Sequence, residues 1–166
     1  MALSHLLLMR HAKSSWDDPT LDDHERPLNA RGRDACEIMS SRLTAERLIP
    51  NTIWASSAVR TQETAMRMMR ALPGPQTVVN VPGFYHASAD QVLQILAGEP
   101  EPDGKLMLVG HNPGWSSLAE VMTGQILHMP TACILVMSRK DESAPYWSSS
   151  AWRAVGIFKP KDVQRG

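Results

Sequence analysis

The sequence predicts an α/β fold, a three-layer α/β/α sandwich on a mainly parallel mixed sheet. Two observations carry this. Short apolar runs alternate with longer amphipathic stretches along most of the chain. Two of those runs, Leu6-Leu7-Leu8-Met9 and Leu106-Met107-Leu108-Val109, are apolar at every position, as strands covered on both faces must be. The 166 residues can bury one core without disulfide staples, so a single domain over 1–166 is expected, with 160–166 a loose tail.

Taken in order, Leu6 to Met9 form the first strand, and the polar stretch Trp16 to Pro27 a long loop. Its acids Asp17, Asp18, Asp22, Asp23 and Glu25 read as a solvated edge. Asn29 is a good N-cap for a helix carried by Ala35, Met39 and Leu43 to about Arg47. Thr52 to Ala55 is a second strand. Thr61, Ala65, Met68 and Leu72 stripe one face of the next helix, which Pro73-Gly74 stops, and its methionines are core filler. A strand at Thr77 to Val81, a loop through Phe84-Tyr85-His86 and a helix from Ala89 to Leu96 follow. The run from Lys105 to Gly110 is a fourth strand, leading through Asn112-Pro113-Gly114 into a helix past Leu118 and Val121. Ala132 to Met137 and Ala154 to Phe158 are the last strands, with Trp147 and Trp152 read as packing residues.

Composition narrows the function. Lysine and arginine (17) balance aspartate and glutamate (17), so no overall field favours nucleic acid or an anionic membrane. Cys36 and Cys133 fit neither a metal-ligand spacing nor a disulfide framework and read as small buried groups. The apolar start is too short for a signal segment or a membrane span. A cytoplasmic monomer is expected.

Chemistry gathers at strand ends, where open α/β sheets place their sites. Arg10-His11 follows the first strand, Arg60 falls in the first turn after the second, and His111 sits in a glycine-flanked turn after the fourth. Arginine offers a planar fork for phosphate. A first-turn arginine adds to the positive helix end. A neutral histidine can be base, ligand or nucleophile. If these strand ends converge, Arg10, His11, Arg60 and His111 make one pocket suited to a dianionic phosphoryl group. It lacks the carboxylate cluster of a magnesium-dependent phosphatase, so no metal and no cofactor are expected.

Arg10-His11 with a small residue next, Arg60 within Ser-x-x-x-Arg-Thr-x-Glu-Thr-Ala, and Gly110-His111 together resemble the histidine phosphatase superfamily, which includes the phosphoglycerate mutases. Arg26-Pro27-Leu28 with Gly32 beyond, Gly110-His111-Asn112-Pro113-Gly114 and the short length resemble its SixA-type phosphohistidine phosphatases. The resemblance runs from about Leu6 to Val136. It implies the phosphoglycerate mutase-like fold, a phosphohistidine enzyme intermediate and no metal. It also makes His11 the nucleophile, Arg10, Arg60 and His111 the phosphate pocket, and Arg26 a further phosphate contact. Two departures stand out. Trp16-Asp17 occurs where mutase-like members carry Trp-Asn. The region that holds their glutamate general acid reads Phe84-Tyr85-His86-Ala87-Ser88, with no carboxylate before Asp90.

The expected reaction is in-line attack by neutral His11 on phosphorus, then hydrolysis of the phosphoramidate, with Arg10, Arg60 and a protonated His111 balancing charge. His86 ranks first, with Asp18 and Asp90 behind it, as a general acid. A phosphorylated protein or small molecule is the expected partner, phosphohistidine on proteins first. A small-molecule phosphomonoesterase and a non-catalytic phosphate-binding module are the alternatives.

Overall fold

A computed structural model describes residues 2–163. One sheet of six strands runs through it in the order β3-β2-β4-β1-β5-β6. The strands are β1 Leu3–Arg10, β2 Thr52–Ala55, β3 Thr77–Asn80, β4 Gly104–Gly110, β5 Ile134–Arg139 and β6 Trp152–Phe158. The pairs β3-β2, β2-β4 and β4-β1 are parallel, whereas β5 runs antiparallel to both β1 and β6. The sheet is therefore mixed and mainly parallel, as expected. Helices α1 Ala30–Ala45, α2 Val59–Ala71, α3 Ala89–Ala97, α4 Gly114–Thr123 and α5 Pro160–Val163 complete the order.

The all-apolar strands do what their sequences require. Along β1, Leu6 and Leu8 pack into one core with Val92 and Leu96 of α3 and Trp115 and Leu118 of α4. Leu7 and Met9 point the other way, into a second core with Cys36, Met39 and Leu43 of α1 and Ala65 and Met68 of α2. Strand β4 repeats the alternation, Leu106 and Leu108 against Met107 and Val109. A strand with no polar position is stable only between two such layers.

Local signals hold where side chains and backbone agree. The Asn29 side chain accepts from Gly32 N at 2.8 Å and starts α1. Ser88 and Gln91 form a reciprocal capping box on α3. Both cysteines are buried and free. Trp152 is buried and donates through Nε1 to Tyr146 O at 2.8 Å, whereas Trp147 is partly exposed. The tail differs from expectation. Pro160–Val163 is a helical turn, and Pro160 shares a surface groove with Ala35 of α1; residues 164–166 lie outside the described part.

Glycine 32 shows how tightly α1 seats against the segment after β1. A Cβ there would run into the Lys13 carbonyl, and backbone cannot rotate away as a side chain would. Gly32→Ala is therefore expected to cost about 1–3 kcal/mol, read as a lower urea midpoint at unchanged slope.

Candidate active site

Strands β2, β4 and β1 are neighbours, so their carboxyl ends meet at one crevice. Arg10 and Gly110 are register partners there, and His11 N donates to Gly110 O at 3.0 Å. The Ser56 to Ala65 stretch fastens this rim. Thr64 Oγ1 donates to Arg60 O (2.7 Å) and accepts from Ala12 N (3.0 Å), tying the helix that carries Arg60 to the turn that carries His11. Thr61 Oγ1 donates to Ser56 O and Ala58 O, each at 2.8 Å. Glu63 Oε1 accepts from Leu28 N at 3.1 Å. A polar motif on a buried helix face thus acts as scaffold.

His11 is buried, and its Nδ1 lies 2.7 Å from Ala12 O. A carbonyl oxygen only accepts, so Nδ1 carries the proton and Nε2 keeps its lone pair. Burial pushes this histidine down to about 4; the Ala12 bond opposes that shift, and Arg60, Arg10 and Arg26 add to it. His111 is equally buried, with its ring centroid 5.3 Å from that of His11. Its Nε2 lies 2.7 Å from Ser56 Oγ. Burial first, then His11, Arg60 and His86, lower it to about 3. In the absence of an anion, both histidines are neutral. The protonated His111 expected from sequence would need a neighbouring anion to hold its proton.

Three buried side-chain nitrogens of this crevice have no hydrogen-bond partner: Arg10 Nε, Arg60 Nε and His111 Nδ1. Buried polar atoms of this kind are costly unless something completes them. Arg10 Nη1 is spent on Met129 O at 3.2 Å. Arg26 reaches Ser14 Oγ (2.9 Å) and Ser15 O (3.2 Å) and lies under the Trp16 ring, 3.5 Å from its centroid. That stacking gives exposed Trp16 a role that its neighbour Asp17 does not share.

Asp23 is the residue that sequence reasoning missed. It is exposed, as a solvated edge would be, yet it sits in a turn of 3-10 helix, Asp23–Glu25, and pairs with the arginines. Its Oδ2 accepts from Arg60 Nη2 (3.0 Å) and Tyr85 OH (2.6 Å), and its carbonyl accepts from Arg60 Nη1 (2.7 Å). Its Oδ1 accepts from Arg26 Nε at 3.3 Å. Bonds from Tyr85 and Arg60 outweigh desolvation and hold the carboxyl far below the usual carboxylate range. Asp23 is thus ionised and cannot donate a proton. The one available signal was its spacing: an aspartate three residues before Arg26.

Two of the three general-acid candidates, His86 and Asp18, part company. His86 lies on the crevice wall with its ring centroid 6.3 Å from that of His111, its side chain exposed and its Nε2 3.7 Å from Asp23 Oδ2. Asp18 is exposed and turned to Thr20, accepting from its N (3.0 Å) and Oγ1 (2.6 Å). Among the described residues, no group of three or more His, Cys, Asp or Glu side chains is arranged to hold a metal ion, and no helix is long and apolar enough to cross a membrane.

The depressed histidines make stability depend on pH. A neutral buried histidine contributes stability above the unfolded value, about 6.5, and this is lost as pH falls through the folded value. Denaturant stability should therefore decline from pH 6.5 toward about 4. His11→Ala should flatten that slope in parallel urea titrations.

Comparison with known proteins places this arrangement. The model of the histidine phosphatase superfamily (branch 1) matches residues 6–84. An uncharacterized protein of Picosynechococcus is 30% identical over 135 residues, 78% of this chain and 82% of that one. A chloroplastic protein of Arabidopsis thaliana is 29% identical over 93% of this chain and 77% of its own length. The crystal structure of the candidate phosphohistidine phosphatase SixA from Agrobacterium tumefaciens superposes with a TM-score of 0.79 at 28% identity, covering 95% of this chain and 99% of that one. The protein histidine phosphatase SixA complexed with tungstate has the same fold, with a TM-score of 0.79 at 19% identity over 96% and 99% of the two chains. The chain is a SixA-type member of the histidine phosphatase superfamily, branch 1, and a phosphatase.

Proposed function

We propose that this protein is a metal-independent phosphatase that hydrolyses phosphohistidine on proteins through a phosphohistidine intermediate on His11. One observation carries the reading. The Ala12 carbonyl fixes the His11 tautomer, and burial among guanidinium groups keeps Nε2 unprotonated. An unprotonated imidazole nitrogen beside three arginines is a nucleophile waiting for an anion.

The phosphoryl oxygens meet the guanidinium groups of Arg10 and Arg60, whose charge acts on His11. His111 gains its proton as the dianion enters, because opposite charge then outweighs burial. Nε2 of His11 attacks phosphorus in line, the bond to the leaving nitrogen breaks, and that nitrogen keeps the electron pair and takes a proton. Water then attacks the phosphoramidate, releasing phosphate and restoring neutral His11. His86, beside His111, is the first candidate to hand the leaving nitrogen its proton. A leaving imidazole needs less help than an alkoxide, which suits a crevice whose Asp23 is ionised. Arg10, Arg26 and Arg60 around His11 supply the positive charge that would stabilise the transferring phosphoryl group.

His11→Ala should abolish turnover in a folded, phosphate-binding protein, and rapid quenching of the wild type should trap acid-labile, base-stable phosphate on His11. Label on a serine or aspartate, or activity lost to EDTA and restored by a divalent metal, would refute the mechanism. Arg60→Lys and His111→Ala should lower kcat/KM for every phosphorylated substrate alike. Removing one such preorganised donor costs about 3–4 kcal/mol, roughly 10²–10³-fold, and lysine should recover only part because it lacks the fork. Steady-state kinetics within a few-fold of wild type would mean that the pocket is drawn from the wrong residues.

A further inference from the structure

Beyond His111 the crevice opens into a cavity of about 460 Å³ between the first turns of α3 and α4. Its wall includes His86, Ser88, Asp90, Asn112 and Ser117 together with His111. Among the described residues that line it there is one carboxylate, Asp90, and neither lysine nor arginine. Asp23 stands behind this wall, its Oδ2 3.7 Å from His86 Nε2, but its charge is met by Arg26 and Arg60. His111 belongs to both spaces. It is 5% exposed, and its Nδ1 is buried without a partner.

The crevice is therefore divided by charge. Arg10, Arg26 and Arg60 gather around His11, where a phosphoryl group would sit. The far side of His111 presents one acid, Asp90, with small hydroxyls and an amide. In an in-line displacement the leaving group departs away from the nucleophile, so the two halves of a substrate meet opposite environments. We propose that this cavity is the leaving-group subsite, and that its negative charge selects leaving groups that are cationic or neutral over those bearing a carboxylate or a second phosphate. The inference rests on the phosphatase reading above. It extends that reading by placing substrate discrimination on the leaving group rather than on the phosphate.

The neutral side chains fit the same role. Ser88, Ser117 and Asn112 offer both donors and acceptors, so a polar uncharged segment is accommodated as well as a cationic one. Asp90 is the residue on which to test the idea. It is exposed on the first turn of α3 and has no part in holding the arginines, whereas Asp23 does.

The test uses three phosphorylated imidazoles that share a reacting bond and differ in the tail: N-phosphohistamine with an ammonium, its N-acetyl derivative, and N-phosphoimidazoleacetate with a carboxylate. In the wild type, kcat/KM for the ammonium tail should exceed that for the carboxylate tail about tenfold, the size expected of one unit charge nearby at intermediate dielectric, and added salt should shrink the difference. Asp90→Lys should erase or reverse the preference, Asp90→Asn should move it part of the way, and both should leave inorganic phosphate affinity within about twofold. Equal turnover of the charged tails in the wild type, or a preference unmoved in both folded variants, overturns the subsite. Failure of the wild type to turn over any of the three overturns the phosphohistidine reading itself, a distinct result.

Discussion

Three guanidinium groups and two imidazoles share one buried crevice, and Asp23 is the carboxylate set between two of the arginines. Without a counter-charge, Arg26 and Arg60 would repel each other in a medium that screens poorly. Asp23 takes one donor edge of each and leaves Arg60 Nε unpaired. Its side chain is 42% exposed, so the ion pairs matter less for net stability than for orientation. The turn of 3-10 helix that bears it is thereby held over the crevice, although few apolar contacts hold it there.

The strand ends supply the second constraint. Parallel strands bring Arg10 and Gly110 into register, and backbone bonds from His11 and Ser56 to the end of β4 set the depth of both histidines. Gly110 lets the Trp115 ring lie against the strand end, where a Cβ would collide with it. Trp115 Nε1 donates to Leu108 O at 3.1 Å, closing the base of the His111 turn. The site is rigid because it is built on the ends of regular elements, with hydroxyls from α2 bridging the gaps.

Proton placement follows from burial rather than from residue type. The same desolvation that keeps His11 unprotonated also keeps His111 neutral. In the proposed reaction binding and protonation would be linked: an anion beside His111 raises its proton affinity, and a proton on His111 raises the affinity for the anion. Cys36 shows the same force on an acid, its thiol pushed up to about 12 and kept inert by burial.

The sequence by itself determined the layers and the principal residues. The apolar runs Leu6–Met9 and Leu106–Val109 could only be central strands, since no polar position was left to face water. Arg10, His11, Arg60 and His111 were legible because strand ends are where such folds expose functional groups, and resemblance to a known family ordered them. Only the tertiary structure decided the role of Asp23, the separation of His86 from Asp18, and the charge state of His111. In one dimension Asp23 is one acid among several in a polar loop, thirty-seven residues from Arg60 and sixty-two from Tyr85. Its partners come from the second strand's helix and the loop after the third strand, and no local pattern records that meeting. Burial, likewise, is a property of the packed crevice, so the shifts it imposes on the two histidines could not be read before the fold was known.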